Sequence, residues 1–194
     1  MIIITNPTNI ENEISIIHSL FAEGLPLLHV RKPDFSEAEM KSFLSEIGLE
    51  FRNRLVLHSD HHLADTFGVN RLHFTESNRS KAKLFSESKW IKSASVHSIE
   101  AFNALEGDWN YAFLSPVFSS ISKSDYISGN NHLEAIKQRN NLKTKIIALG
   151  GISSENIQKT LEHGFDDVAL LGSIWLNINP IENFKKCQQI VLSF

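Results

Sequence analysis

Short apolar runs recur along the chain, each stopped by Gly, Pro, Asn or Ser and mostly followed by apolar positions at helical spacing. Ile2-Ile-Ile-Thr5 is β-branched and halted by Asn6-Pro7, which predicts a first strand. Ile10, Ile14, Ile17 and Phe21 then fall at helical intervals before Gly24. Leu25 to Arg31 predicts strand two, closed by Lys32-Pro33. Ser36 and Glu39 form a capping box for a helix carrying Met40, Phe43, Leu44 and Ile47. Strands three to five are expected at Leu55–His58, Arg71–Phe74 and Trp90–Val96. Between them lie a short helix from His61 to Phe67 and a weaker one over 79–87; another starts at Ser98 and ends at Gly107. Tyr111-Ala-Phe-Leu114 reads as a buried sixth strand, beyond which Pro116 blocks ladder pairing. A Ser/Gly/Asn-rich loop over 119–131 precedes a helix at 132–140. Lys145–Gly151 and Asp167–Gly172 predict strands seven and eight around a helix from Ser153 to His163. Pro180 opens the last helix at its favoured first position.

Eight such strand–helix units, with no linker and no low-complexity tract, predict an α/β fold. The expectation is one small (β/α)8 TIM barrel forming a single domain over 1–194, with an open doubly wound sheet as the alternative. A hydrophobic fraction of 42% with 21% charged residues fits an ordinary globular protein. A net charge of −3 gives no reason to expect nucleic acid as a partner. No apolar run approaches the roughly 20 residues that span a bilayer, so no membrane association is expected. With no evident secretion signal, a cytoplasmic location is the expectation. Cys187 is alone, with neither a disulfide partner nor a CxxC mate for metal. A homo-oligomer is compatible with the sequence, which carries no signal on assembly.

In a barrel of this type the site lies at the C-terminal strand ends. Those ends carry His29 and Arg31, then His58, Ser59 and Asp60, then His73, then Ser95 and His97. After strand six come Ser120, Ser122 and Lys123, then Gly150-Gly151 and Gly172-Ser173. Arg31, Lys32 and Lys123 are thus expected to face one mouth with four histidines. A hydroxyl-rich turn ending in lysine suits a phosphate, although a solvated loop has the same composition. Gly150-Gly151 permits close backbone approach, and Ile152-Ser153-Ser154 leads toward a helix N-terminus, an anion site. The plainer reading of the two glycines is a tight turn between strand and helix. No HxH pair lies on a strand and no HExxH helix exists, which speaks against metal ligation by the histidines. His61 and His62 are expected to be solvated. Without a GxSxG elbow, acyl transfer lacks support.

Five pieces, in order and spread over nearly the whole chain, resemble the thiamine-phosphate synthase and thiazole tautomerase family of small (β/α)8 barrels. They are Leu28-His-Val-Arg31, Ser95-Val-His-Ser-Ile-Glu100, Ser115-Pro-Val-Phe118 with Lys123, Ile147-Ala-Leu-Gly-Gly-Ile152 and Gly164-Phe-Asp-Asp-Val-Ala-Leu-Leu171. The resemblance implies a transferase that joins an aminopyrimidine diphosphate to a thiazole phosphate with magnesium and releases pyrophosphate. It implies that Ser120, Ser122, Lys123, Gly150, Gly151, Gly172 and Ser173 hold the thiazole phosphate. Ser95 and His97 would serve the phosphates, and His29, His58 and His73 the pyrimidine side. Arg31, Lys123 and His29 are the catalytic candidates. The chain departs from the synthase pattern on strand two, where the lysine is displaced by one position onto the other face of an extended chain. Both magnesium carboxylates are missing at their usual places, leaving Asp60 and Glu76 as candidate Mg2+ ligands. The tautomerase branch matches strands two and five, but its catalytic histidine falls at Pro116. A tautomerase with His29 or His97 as acid–base, or a barrel that only binds thiazole or thiamine phosphates, are the alternatives.

Overall fold

The computed structural model describes residues 1–118 and 131–194. Its strands are β1 (Ile2–Ile4), β2 (Leu27–Val30), β3 (Leu55–Leu57), β4 (Arg71–Phe74), β5 (Ile91–Val96), β6 (Tyr111–Leu114), β7 (Lys145–Ala148) and β8 (Asp167–Leu170). They pair in parallel in sequence order, and β8 returns to β1 through Ile2↔Ala169, closing a barrel. The closed order bears out the (β/α)8 expectation and excludes the open sheet. The helices are α1 (Glu13–Ala22), α2 (Glu37–Ile47), α3 (Leu63–Phe67), α4 (Ile99–Asn103), α5 (His132–Ala135), α6 (Ile157–Glu162), α7 (Gly172–Trp175) and α8 (Pro180–Leu192). None of the described helices is long and apolar enough to cross a membrane.

Three connections differ from the sequence pattern, one being the helix expected at 132–140, which is α5 followed by a 3₁₀ turn over Ile136–Gln138. The helix expected over 79–87 is a 3₁₀ helix, Glu76–Leu84, because its Ser and Asn side chains compete for backbone groups and only Ala82 is buried to anchor it. A further 3₁₀ helix, Leu49–Arg54, leads into β3. The capping box of α2 forms as expected: Glu39 N donates to Ser36 Oγ at 3.3 Å, and Ser36 N donates to Glu39 Oε2 at 2.7 Å.

The two-residue period of the strands sorts side chains into two layers. Ile3, Leu28, Val30, Leu57, Leu72, Ala94, Ala112, Ile146 and Val168 join the large core beneath the helices. Ile2, Ile4, Tyr111, Phe113, Ile147 and Ala169 form a separate cluster inside the barrel. That inner layer is not wholly apolar, since His29, His73 and Ser93 are also buried. One wall of the barrel is greasy and the other polar.

Arg31 and Lys32 part company at the end of β2. Lys32 does not reach the mouth. It is buried, its Nζ lying 2.5 Å from Glu13 Oε2 and donating to Thr8 O at 3.1 Å. Phe35 and Phe43 flank the ammonium, with ring centroids at 5.3 and 4.9 Å. One step along an extended chain turns the side chain by half a revolution, from the cavity toward α1 and α2. Burial raises the Glu13 carboxyl above its ordinary range, outweighing the pull of the ammonium.

Candidate active site

A cavity of about 520 Å3 opens at the C-terminal ends of the strands. The apolar side is Ile4, Phe113, Leu149, Ala169 and Leu171, and the polar side is Arg31, His58, His73, Thr75 and Ser95. Gly150, Gly151, Gly172 and Ser173 close the far rim. Such a mix of apolar walls with a few convergent polar groups is what small-molecule sites look like.

Strand register builds the polar side. Ile4 pairs with His29 and His29 with Val56, while His73 pairs with Ser93 and Ser93 with Tyr111. The polar residues of these strands carry two hydrogen-bonded groups, Tyr111–His29–His58 and Ser93–His73–Ser95, which meet where His58 stacks on His73. His29 Nε2 lies 2.6 Å from Tyr111 OH, and its Nδ1 lies 2.8 Å from His58 Nε2. His73 Nδ1 lies 2.9 Å from Ser93 Oγ, and Nε2 lies 2.8 Å from Ser95 Oγ. Ser93 Oγ donates to Leu72 O at 3.4 Å, so it accepts from His73 Nδ1–H. His73 Nε2 therefore accepts from Ser95. The rings of His58 and His73 stack at 4.1 Å.

Burial holds all three imidazoles neutral at physiological pH. His29 and His58 are pushed well below their ordinary value, first by desolvation and then by His73. His73 is lowered to about 3, again mainly by desolvation, with His61 and Arg31 adding repulsion. Tyr111 is raised because its phenolate would be buried.

The sequence-derived site residues separate into three groups. Arg31, His58, His73, Ser95, Gly150, Gly151, Gly172 and Ser173 all line the cavity. His29 and His97 do not: His29 is fully buried beneath the floor, and exposed His97 donates from Nδ1 to Ser115 O at 2.9 Å. Ser120, Ser122 and Lys123 lie outside the described residues. His61 is not solvated as expected; its Nε2 donates to the carbonyls of Leu57 and His73 at 3.2 and 3.1 Å. Thr5 and Tyr111 gave no sequence signal. Thr5 Oγ1 accepts from Arg31 N at 2.9 Å and donates to Arg31 O at 3.1 Å, fixing the backbone that carries the guanidinium.

The far rim is built from the turn after β7 and the first residues of α7, Gly172 and Ser173, and the α6 end adds nothing to it. The amide of Ser153 is already taken by Asn156 Oδ1 at 2.9 Å, and α6 starts only at Ile157. The rim is instead glycine backbone, with Gly150 at φ 97° and Gly151 at φ 63°. Beside it, Ser173 Oγ is buried with no hydrogen-bond partner among the described residues, an orphan that a ligand oxygen would satisfy. A Cβ on Gly150 would stand 2.8 Å from Cα and Cβ of Pro116. Gly150→Ala should therefore lose about 1–3 kcal/mol, from a strained positive φ and a backbone clash. Urea unfolding measures it, and an unchanged midpoint would contradict this close approach.

Comparison with known proteins places this geometry. The family model described as thiamine monophosphate synthase matches residues 1–174. The chain belongs to the thiamine monophosphate synthase family. Membership puts it among the transferases of thiamine biosynthesis, whose substrates are small and phosphorylated. A thiamine-phosphate synthase of Koribacter versatilis is 28% identical over 182 residues, covering 90% of this chain and 84% of that protein. The crystal structure of a thiamine phosphate pyrophosphorylase from Bacteroides thetaiotaomicron superposes with TM-score 0.78 at 30% identity, covering 98% of this chain and 96% of that one. A thiamine phosphate pyrophosphorylase from Pyrococcus furiosus, at TM-score 0.82 and 18% identity over 99% of this chain and 95% of that one, shares the fold.

The family generally uses magnesium, but the described residues do not fit that ion. Asp60 sits at φ 49°, and its Oδ2 accepts from Ser59 Oγ at 2.9 Å. Glu76 is exposed, and neither carboxylate lines the cavity. Magnesium needs oxygen donors in near-octahedral array. The polar wall offers mainly imidazole nitrogen.

Proposed function

We propose that this chain forms thiamine phosphate from an aminopyrimidine diphosphate and a thiazole phosphate, releasing pyrophosphate. The observation that carries this reading is one cavity with a guanidinium on one side and a glycine–serine anion rim on the other. A thiazole phosphate fits the rim of Gly150, Gly151, Gly172 and Ser173. Ser120, Ser122 and Lys123 are proposed to complete its phosphate shell. Arg31 then draws off the departing diphosphate, and the thiazole nitrogen captures the pyrimidine methylene cation. Charge stabilisation on the leaving group and in-line placement of the nucleophile supply the rate.

The polar wall suits this chemistry for a physical reason. A pyrimidine cation developing next to protonated histidines would be repelled. His58 and His73 face the cavity as neutral rings, and Phe113 offers an aromatic face beside them. His29 is proposed to act by holding His58 rather than by touching substrate.

Incubating the purified protein with both substrates and magnesium, and measuring thiamine phosphate and pyrophosphate, tests the proposal. Arg31→Ala should lower kcat/KM by about 100-fold, as for loss of a charge-stabilising donor. Equal rates in the two proteins would remove Arg31 from the mechanism. The misplaced magnesium carboxylates favour one second reading, a barrel that binds thiazole or thiamine phosphates without turnover. Tight thiazole-phosphate binding with no product at any magnesium concentration would establish it.

A further inference from the structure

His29 on β2, His58 just past β3 and His73 on β4 stand side by side at the barrel interior, and one nitrogen of each lies within 4.8 Å of the other two. Among the described residues this is the only grouping of three or more histidine, cysteine or acidic side chains with such spacing. We propose that these three histidines form a site for a divalent transition-metal ion of the zinc class, with a fourth position open to the cavity. The inference rests on the three side chains alone; a dication on this wall would repel the pyrimidine cation of the reaction proposed above, so the ion and that substrate are alternative occupants of the wall.

The hydrogen bonds around the rings are those of a metal site's outer shell. Imidazoles that bind metal typically have their other nitrogen held by a hydrogen-bond partner. Tyr111 OH holds His29 Nε2 at 2.6 Å, and Ser93 Oγ holds His73 Nδ1 at 2.9 Å. That leaves His29 Nδ1, His73 Nε2 and His58 Nε2 for the ion. The His73 tautomer already presents a lone pair at Nε2, to which Ser95 now donates.

The spacing is close to what an ion needs. His29 Nδ1 and His58 Nε2 share a proton at 2.8 Å. Around a tetrahedral ion with Zn–N of about 2.0–2.1 Å, ligand nitrogens lie about 3.3 Å apart. The ion would replace that proton, which moves to the other nitrogen of the ring that donates it, so no net proton is released. His58 must unstack from His73, with which it makes an interplanar angle of 25°. Half-buried at the cavity floor, it has room on that side to turn.

Donor chemistry selects the class of ion. Three neutral imidazoles with an open position suit zinc and its neighbours in the transition series, not magnesium. Arg31, on the same cavity wall, would favour an anionic fourth ligand such as hydroxide or a phosphate oxygen.

The test uses tag-free protein stripped with chelator, dialysed against zinc chloride, and analysed for bound metal without any substrate. One zinc per chain is expected, and His58→Ala should weaken it by at least about 100-fold, beyond the 10–100-fold typical of outer-shell changes. His62→Ala, whose ring is on the surface, should bind zinc as the parent does. No stoichiometric zinc, or equal binding by His58→Ala, overturns the proposal. Should His58→Ala fail to fold, cobalt(II) added to the parent protein decides. Intense visible bands of a tetrahedral nitrogen site support the proposal, and a weak octahedral spectrum refutes it.

Discussion

Metal-free protein taken from pH 7 to pH 5 should lose about 2 kcal/mol of stability through His73 alone. The group is neutral in the fold down to about pH 3, whereas in the unfolded chain it protonates near 6.5. Below pH 6.5 the unfolded state binds the extra proton, so each further unit lowers stability by about 1.4 kcal/mol. The contribution is complete above 6.5 and drains away as pH falls toward the folded value. His29 and His58 are shifted in the same direction by the same desolvation, so they steepen the loss. Glu13 works in the opposite sense. Its raised carboxyl favours the neutral form in the fold, a contribution present below the ordinary carboxylate value and lost as pH rises. Urea unfolding at pH 7, 6 and 5 with chelator present measures the slope. His73→Asn should be less stable at pH 7, having lost two hydrogen bonds, yet show a flatter decline. A slope identical to the parent's would mean that His73 is not held neutral by the fold.

The buried ion pair behind β2 should show the other large effect. Glu13→Leu leaves the Lys32 ammonium with one carbonyl partner and no counter-charge, in a pocket closed to water. Breaking a pair of this kind costs about 3–5 kcal/mol, chiefly the penalty of stranding the remaining charge. Replacing both partners, Glu13→Leu with Lys32→Met, should recover most of that loss, since an apolar pair avoids desolvation altogether. Phe35 and Phe43 already provide the apolar surroundings for it. Thermal and urea unfolding of the parent, single and double variants checks the pattern. A single variant as stable as the parent would show that the pair carries no buried charge. Because the pair lies beneath α1 and α2, away from the cavity, the folded double variant should bind phosphorylated ligands as the parent does.

Lys32 also shows how far the sequence could be read. Its place at a strand end put it at the mouth with Arg31, whereas its displacement by one position puts its side chain on the opposite face of the chain, and it is found on that opposite face. What the residue meets on that face is not legible locally, because Glu13 arrives from a helix that precedes the strand. Gly150-Gly151 and Gly172-Ser173 were readable as lining the mouth from residue type and position alone. The helix end behind Gly151 was misread, because Asn156 folds back onto Ser153 and delays the first turn. The carboxylates Asp60 and Glu76 were candidates by nearness in sequence, and the loops that carry them keep both out of the cavity.

By itself the sequence determined eight alternating strand–helix units, with the closed barrel as expectation and the open sheet as alternative. Short continuous apolar runs alternating with helical ones leave parallel pairing as the arrangement that buries both faces of each strand, and strand ends name the residues of the mouth. Tertiary structure decided which of those residues act together. The sequence places His29, His58 and His73 at one mouth but shows no contact between them, and Tyr111 reads only as part of a buried strand, 82 positions from His29. Only the register of neighbouring strands and the closure of the barrel bring the rings against one another. Water excluded from that interior then keeps the imidazoles neutral, a property that no local sequence window contains.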